Sequence, residues 1–255
     1  MNIVQQTTPP LPDELIAKFR AIVGDKYAVT DPADIAPYTT EERDLFRGRS
    51  PLVLRPGTTA EVSAICKLAN EHRIALVPQG GNTGLVGGQT PHNGEVVVSL
   101  RRLDKIRDVD TASNTMTCEA GVILQIAQQR AAEVNRLFPL SLGAEGSCTI
   151  GGNLSTNAGG TAALAYGVAR EMALGLEVVL ADGRVLNALS KLKKDNTGYD
   201  LRNLFIGAEG TLGIITAATL KLFPKPQAIE TAYVGLKSPR EALKLLEISQ
   251  GEAGN

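Results

Sequence analysis

Residues 78–88 read Pro78-Gln79-Gly80-Gly81-Asn82-Thr83-Gly84-Leu85-Val86-Gly87-Gly88, and they directly follow the apolar run 74–77. The apolar run predicts a strand, and the glycines predict that the strand opens into an exposed backbone turn. Glycine adopts positive φ angles and lets a ligand approach the main chain without meeting a Cβ atom. Free backbone N–H groups in such a turn form a concavity suited to an anion, most often a phosphate. A tight glycine-rich hairpin without a ligand is the alternative for this segment taken alone.

The elements before this segment predict a βαβ unit. A short strand at 52–54 is followed by Thr58, three residues before Glu61, which is the pattern of a helix capping box. The helix that starts there carries an apolar stripe and ends near His72. Because the glycine-rich segment follows the second strand, it lies at the carboxyl end of that strand, where α/β sheets place their ligands.

The rest of the chain predicts a second lobe that is richer in antiparallel pairs. Asp182-Gly183 is a strong hairpin signal between two alternating runs. The predicted strands are 96–100, 115–120, 174–180, 184–189 and 214–223, and a helix is predicted at 122–136. The fold class is therefore α+β, with a βαβ lobe and a mixed or antiparallel lobe.

The same pattern divides the chain into three parts. Residues 1–49 form an N-terminal helix and an extended segment, and residues 50–224 form the main domain, with subdomains at about 50–108 and 109–224. Residues 225–255 resemble the start of another domain, with a strand at 231–236 and a helix at 239–250. Because one strand and one helix cannot bury their own apolar faces, either this tail packs back onto the main domain or the chain is a fragment of a longer protein, and we favour the fragment.

The composition is that of an ordinary globular protein. The chain has 255 residues, of which 43% are hydrophobic and 21% are charged, and its net charge of -1 disfavours binding to nucleic acid. Cys66 falls on an apolar helical face, which predicts a buried thiol in a reducing compartment. Residues 1–12 lack the features of a signal peptide, and no apolar run is long enough to cross a membrane. These observations predict a cytoplasmic protein.

Two later segments share the composition of the first. Residues 143–160 are dense in glycine, serine, threonine and asparagine, and residues 209–215 read Glu209-Gly210-Thr211-Leu212-Gly213-Ile214-Ile215. Hydroxyl and amide groups among glycines supply donors to a pyrophosphate and acceptors to the edge of a heterocycle. A ligand that contacts three loops, each about sixty residues from the next, must be long. The pattern therefore favours a dinucleotide over a lone phosphate.

Other phosphate and metal sites fit this sequence poorly. The spacing of glycines differs from the nicotinamide fingerprint, which lies between a first strand and a helix, and the P-loop motif is absent. His72 and His92 are the only histidines, and neither belongs to a zinc motif or a catalytic triad. We therefore expect no metal site within this chain.

The three segments together resemble the flavoproteins with a PCMH-type (vanillyl-alcohol oxidase-like) FAD domain. The nearest resemblance is to the D-2-hydroxyacid dehydrogenases, the group that comprises D-2-hydroxyglutarate dehydrogenase, D-lactate dehydrogenase and the flavoprotein component of glycolate oxidase. It extends from about residue 51 to residue 224, and the segments 146–153, 176–183 and 209–215 match that family in order and spacing. The resemblance implies a domain of two α/β subdomains with FAD between them.

Carried over by position, the resemblance implies a set of residues that bind the cofactor. The pyrophosphate would contact the first segment, the flavin and ribityl chain the second, and the adenosine side or the ring edge the third. The implied residues are Pro78, Gln79, Gly80, Gly81, Asn82, Thr83, Gly84 and Leu85; Gly143, Gly146, Ser147, Thr149, Gly152, Asn153, Thr156, Asn157 and Gly159; and Glu209, Gly210, Gly213, Ile214 and Ile215.

Two residues of the first segment carry further expectations. Asn82 stands where some relatives use a histidine for a covalent flavin link, and since a carboxamide cannot form that bond, we expect noncovalent FAD. A valine in place of Gly81 should block the pyrophosphate and leave folding largely intact.

The resemblance implies oxidation of a D-2-hydroxy acid to the 2-oxo acid by hydride transfer to flavin N5. In that family the general base, the substrate-binding arginine and the metal-binding histidines lie in a C-terminal domain, and this sequence ends about where that domain begins. The catalytic residues are therefore unknown. The alternatives are another enzyme on the same domain (an alditol or aryl-alcohol oxidase, or an ether-lipid synthase) and a noncatalytic FAD-binding subunit that needs a partner chain. The electron acceptor and the oligomeric state, a homodimer included, stay open.

Overall fold

The first lobe is built on a four-stranded sheet. The computed structural model describes residues 10–253, and in it the strand order is β1-β2-β4-β3, with β1 antiparallel and the other strands parallel. The strands are β1 (Ala28–Val29), β2 (Val53–Leu54), β3 (Leu76–Gln79) and β4 (Val96–Ser99), and the helices are α1 (Asp13–Val23), α2 (Pro32–Thr39) and α3 (Thr59–His72). Residues 1–9, part of the stretch tested for a signal peptide, lie outside the described residues.

Helix α3 confirms the predicted βαβ unit. The Thr58 hydroxyl accepts a hydrogen bond from the backbone N–H of Glu61 at 3.1 Å, which satisfies one of the free donors of the first turn. The helix buries Val62 and Ile65 against the sheet. Strand β3 begins two residues later than predicted, so that Pro78 and Gln79 end the strand and the glycine-rich loop starts at residue 80.

The second lobe is built on a five-stranded antiparallel sheet with the order β5-β6-β10-β8-β9. Its strands are β5 (Ile106–Asp110), β6 (Thr115–Glu119), β8 (Ala173–Val179), β9 (Val185–Ala188) and β10 (Ile214–Lys221), while β7 (Arg136–Leu137) pairs with β11 (Phe223–Pro224). The helices are α4 (Leu124–Glu133), α5 (Ile150–Ser155), α6 (Ala163–Tyr166), α7 (Ala169–Met172) and α8 (Arg202–Phe205). The β8–β9 hairpin turns at Gly183, whose φ of 85° requires glycine, as the Asp-Gly signal predicts.

The structure confirms the α+β class, and some further elements differ from the predicted ones. Strand β5 starts at Ile106, inside the range expected for the first subdomain, and joins the second sheet. Helix α4 is shorter than 122–136, because the chain leaves the helix to form β7. The strand predicted at 231–236 is wrong: within the described residues no neighbouring strand supplies its hydrogen bonds, and the segment is exposed.

The last described element is the helix α9 (Pro239–Ala253), which confirms the helix predicted at 239–250. Most of its apolar side chains are exposed, with Leu243 at 70% and Leu246 at 54%, while Leu245 is half-buried. The apolar face of this helix is therefore largely uncovered within the described residues.

The two lobes share their hydrophobic packing. The first core contains Phe19 and Ile65, and the second contains Met116 and Leu176. Val179, at the end of β8, and Ile214, at the start of β10, belong to the second sheet but pack in the first core. The sheets therefore meet at the ends of β8 and β10.

A polar network also joins the lobes beside this contact. Glu177 on β8 accepts hydrogen bonds from the Thr59 hydroxyl of α3 at 2.7 Å and from the Arg107 guanidinium of β5 at 3.1 and 3.2 Å. The Arg107 Nε donates to Glu119 at 3.1 Å. The carboxylate of Glu177 thus links helix α3 of the first lobe to the five-stranded sheet of the second lobe.

Candidate cofactor-binding site

A cavity of about 600 Å³ lies where the three glycine-rich segments meet. Nineteen of the twenty-two predicted residues line it. From the first segment they are Pro78, Gln79, Gly80, Gly81, Asn82, Thr83, Gly84 and Leu85; from the second, Gly143, Ser147, Thr149, Gly152, Asn153, Thr156 and Gly159; and from the third, Glu209, Gly210, Ile214 and Ile215. The fold therefore brings segments that are far apart in sequence to one cavity.

Three predicted residues do not line the cavity, and each has another environment. Gly213 packs against β8, where an added Cβ atom would lie 2.7 Å from Val178 Cγ1. Asn157 adopts a φ of 49°, and its side-chain oxygen accepts a hydrogen bond from the Arg170 backbone N–H at 3.0 Å. Gly146 faces Gln125, 3.5 Å from the position of an added Cβ atom.

The cavity also contains residues that sequence reasoning missed. Ala144, Cys148 and Gly151 lie inside the second segment, so proximity to the predicted residues could have found them. Glu42, from the loop after α2, and Leu100, after β4, carry no glycine-rich signal. Only the packing of the first sheet brings these two side chains to the cavity.

The turn after β3 presents free backbone donors. Within the described residues, the N–H groups of Gly81, Asn82, Thr83 and Gly84 have no hydrogen-bond acceptor. Asn82 has a φ of 59°, a left-handed conformation that lets neighbouring N–H groups point to the same side. A run of unpaired N–H groups beside a cavity is suited to an anion with several oxygens, such as a pyrophosphate.

The three loops are packed tightly on one another. A Cβ atom added at Gly80 would overlap Thr149 Oγ1, one at Gly81 would overlap the Ser147 carbonyl oxygen, and one at Gly210 would overlap the Pro78 ring. These glycines are required by contacts between loops. The expectation that Gly81→Val leaves folding largely intact is therefore wrong, because the valine would meet the second loop before any ligand.

The Asn82 side chain connects the first loop to α2 and to the residue after it by hydrogen bonds. Its Nδ2 donates to the carbonyl oxygens of Pro37 at 3.0 Å and Thr40 at 2.9 Å. Its Oδ1 is buried and has no hydrogen-bond partner within the described residues. An unpaired buried acceptor is costly, so a ligand that donates to this oxygen would be favoured.

The Cys148 thiol and the two histidines supply neither a nucleophile nor a base at the cavity. Burial raises the pKa of the Cys148 thiol more than the hydrogen bond from Asn153 lowers it, so this thiol is neutral at neutral pH. Neither histidine lines the cavity, and His92 Nε2 lies 3.2 Å from the Gly87 carbonyl oxygen.

Two further observations concern residues 10–253 only. No helix there combines the length and the apolarity needed to span a bilayer. In the same part of the chain, no three His, Cys, Asp or Glu side chains lie together as ligands for a metal ion.

Comparison of the sequence with known protein families identifies the ligand of this cavity. The family described as "FAD binding domain" matches residues 50–189, more than half of the chain, and that range contains the first two glycine-rich segments. The chain belongs to this FAD-binding family. The cofactor is thus FAD. The free N–H groups after β3 suit its pyrophosphate, and a cavity lined by three loops suits a dinucleotide.

The sequence is also similar to individual known proteins. The chain is 44% identical over 242 residues to D-2-hydroxyglutarate dehydrogenase, mitochondrial, from Bos taurus, covering 95% of this chain and 44% of the relative. It is 45% identical over 241 residues to the protein of the same name from Danio rerio, covering 94% of this chain and 45% of the relative. The chain therefore spans less than half the length of these relatives, and its resemblance to the D-2-hydroxyacid dehydrogenases is confirmed.

Solved structures confirm the PCMH-type fold. An alkyldihydroxyacetonephosphate synthase superposes with a TM-score of 0.76 at 23% sequence identity, over 89% of this chain and 46% of that chain. At this identity the likeness shows the fold alone.

The prediction of a cytoplasmic location is contradicted by the relatives. Both dehydrogenases are named as mitochondrial. Cys66, Cys118 and Cys148 are buried and free, but reduced thiols are compatible with either compartment. The features used for the prediction did not distinguish the two locations.

Proposed function

We propose that this chain is the FAD-binding part of a dehydrogenase that oxidises a D-2-hydroxy acid to the corresponding 2-oxo acid. The observation that carries the proposal is the similarity, at 44–45% identity over almost the whole chain, to proteins named D-2-hydroxyglutarate dehydrogenase. When bound, FAD supplies the acceptor for the hydride that leaves C2 of the hydroxy acid. The likeness to the synthase concerns the fold, so it does not favour the ether-lipid alternative.

The residues of this chain would bind and orient the cofactor. The free N–H groups of residues 81–84 would hold the pyrophosphate oxygens, because each can donate without losing a protein partner. Ile214 and Ile215 form an apolar wall that would exclude water from a ring placed against it. The proton of the substrate hydroxyl needs a base, and we assign that role to no residue of this chain.

We further propose that the FAD is bound without a covalent link. Asn82 carries a carboxamide, which cannot form a bond to the flavin, and its Nδ2 is engaged by two carbonyl oxygens. The cavity also lacks a histidine side chain.

Purification and a reduction assay test these proposals. The purified chain should be yellow or take up FAD, and acid should release the flavin intact. A full-length, flavin-loaded protein should lose its flavin absorbance anaerobically when a D-2-hydroxy acid such as D-2-hydroxyglutarate is added, and the L enantiomer is the matched control. A protein that takes up FAD but is bleached only by an alcohol or a polyol would contradict the hydroxy-acid assignment. A colourless protein unable to take up FAD would refute the cofactor assignment itself.

A further inference from the structure

A second cavity, of about 790 Å³, lies on the other side of the first glycine-rich loop. The residues that line both cavities are Glu42, Gln79, Gly81, Asn82, Thr83 and Ser147. The other walls of the second cavity come from Lys26 and Val29, from α2 and the loop after it, and from the segments that follow β2 and β4. The first glycine-rich loop therefore contributes to two adjoining cavities. The family and the relatives above assign no role to the second one.

Arg55 lines this second cavity and has an incomplete set of partners. Its side chain is half-buried, and its Nε is buried without a hydrogen-bond acceptor within the described residues. The same part of the chain forms no ion pair between a carboxylate and its guanidinium. Arginine is always charged, and a buried unpaired donor costs roughly 1–3 kcal/mol. The site is therefore destabilising unless something else accepts these hydrogen bonds.

A second guanidinium lies in the same cavity. Arg101 Nη2 donates to the Gly81 carbonyl oxygen at 2.9 Å, which holds this cation beside the shared loop. Its remaining N–H groups have no protein acceptor within the described residues. Two arginines with free donors suit phosphate or carboxylate oxygens, which guanidinium groups bind in a bidentate geometry.

The acidic side chains that line the cavity form no ion pair with these two arginines within the described residues. Glu41 accepts hydrogen bonds from the backbone N–H groups of Arg43 at 2.9 Å and Leu45 at 2.7 Å, which hold its pKa below the usual value, so it stays charged and bonded within its own loop. Lys26 adds a third cation to the lining. Asp34 and Glu42 are exposed to solvent, where their effect on a bound anion is screened.

We propose that Arg55 and Arg101 form an anion subsite that binds phosphoryl oxygens on the second face of the glycine-rich loop. The anion has two sources with the same chemistry: the pyrophosphate of FAD held by the shared loop, which rests on the proposed function, or a separate small phosphate. In either case the anion would supply an acceptor to the Arg55 guanidinium, which has none among the described residues.

The test uses FAD-free protein, inorganic pyrophosphate as the probe and calorimetric titration at fixed ionic strength. Arg55→Met should weaken pyrophosphate binding about tenfold or more, since hydrogen bonds to charged groups are the strong ones. Arg49→Met is the matched control: it removes the same charge from an exposed arginine that lines neither cavity, and should change binding less than about twofold.

A second measurement separates a binding role from a structural one. Because Arg55→Met removes an unpaired buried donor, the variant without ligand should melt at the same temperature as the wild type or higher. A lower melting temperature together with unchanged pyrophosphate affinity would overturn the proposal. So would equal affinities of the Arg55 and Arg49 variants, or a wild type that does not bind millimolar pyrophosphate.

Competition identifies the source of the anion. If FAD-saturated protein no longer binds pyrophosphate, the subsite takes the phosphates of the cofactor; if it still binds, the subsite takes a separate phosphate. A wild type that fails to bind FAD refutes the proposed function, while the comparison of the Arg55 and Arg49 variants with pyrophosphate still decides on the subsite.

Discussion

Glycine serves two different purposes in the wall of the first cavity. At Gly80, Gly81 and Gly210, an added side chain would collide with a neighbouring loop. At Gly143, no protein atom lies within 4 Å of an added Cβ atom, although this residue also lines the cavity. Gly143 is thus the position where a side chain would enter the space of the ligand without disturbing the loops.

Gly143→Val should weaken FAD binding about tenfold or more and leave the melting temperature of the FAD-free protein nearly unchanged. The added Cβ atom has no protein atom within 4 Å at this position, which lines the cavity, so the side chain takes up ligand space instead of displacing a neighbouring loop. The dissociation constant can be measured from the quenching of flavin fluorescence.

Gly146→Val is the matched control for this change. Gly146 belongs to the same loop, but it does not line the cavity, and an added Cβ atom meets only Gln125 at an ordinary 3.5 Å. Its affinity for FAD should stay within about twofold of the wild type. Equal losses in both variants would contradict the boundaries of the cavity given above.

For these two glycines, the sequence does not predict which one faces the cavity. In the sequence, Gly143 and Gly146 are equivalent members of one segment, and both were predicted to bind the cofactor. Which of them faces the cavity depends on how the turn between Leu140 and Thr149 is folded. That information comes from packing between the lobes and not from local composition.

At the scale of elements, the contact between α3 and the second sheet contains the buried polar network of Glu177. Burial by itself would raise the pKa of Glu177, but hydrogen bonds from Arg107, Thr59 and Thr216 outweigh it, so its pKa lies below the usual value of 4.5. A carboxyl group with a lowered pKa stabilises the folded state above its unfolded pKa. That stabilisation is lost as the pH falls through the lowered, folded-state pKa.

Glu177→Gln should lower the free energy of unfolding at pH 7 by roughly 3 kcal/mol, because it leaves part of the Arg107 charge uncompensated in a half-buried site. The difference from the wild type should shrink as the pH falls below about 4.5. Urea denaturation at several pH values gives both quantities.

The control for this prediction is Glu133→Gln, which breaks the exposed pair of Glu133 with Arg130 on α4. It should change the free energy of unfolding by less than about 0.5 kcal/mol. A loss at Glu177 that stays the same from pH 7 to well below pH 4.5 would show that packing, and not charge, is responsible.

Helices and turns were predicted correctly where a local sequence signal, such as a capping residue or an Asp-Gly pair, marks them. The cap at Thr58 and the turn at Gly183 have sequence signals and were found in place. Strand β5 was missed because Arg107, Asp108 and Asp110 interrupt its apolar pattern, and these charges are accommodated by partners such as Lys191, which are distant in sequence. Strands of two residues, such as β1, carry no period that a sequence could reveal.

At the scale of the whole molecule, the cavity depends on both lobes. The first loop belongs to the four-stranded sheet, and the second and third loops belong to the lobe of the five-stranded sheet. A ligand that contacts all three loops should therefore stabilise the molecule as a unit. This dependence on both lobes was predictable from the order of the three segments, whereas the contributions of Glu42 and Leu100 were not.

Hydrogen exchange measured with and without FAD tests this dependence on both lobes. Amides at residues 81–84, which lack acceptors in the protein, should become protected together with those of residues 143–149 and 209–215. Helix α9, whose apolar face is exposed, should exchange at the same rate in both samples and serves as the internal control. Protection confined to a single loop would contradict binding between the lobes.

The tight packing of the loops has a consequence for recombination between relatives. Gly80 fits against Thr149, Gly81 against Ser147, and Gly210 against Pro78, so each loop is shaped by residues far away in the sequence. A chimera whose crossover point separates these partners would combine surfaces that evolved against different neighbours. A chimera between relatives should therefore keep its ability to bind FAD only when all three loops are transferred together.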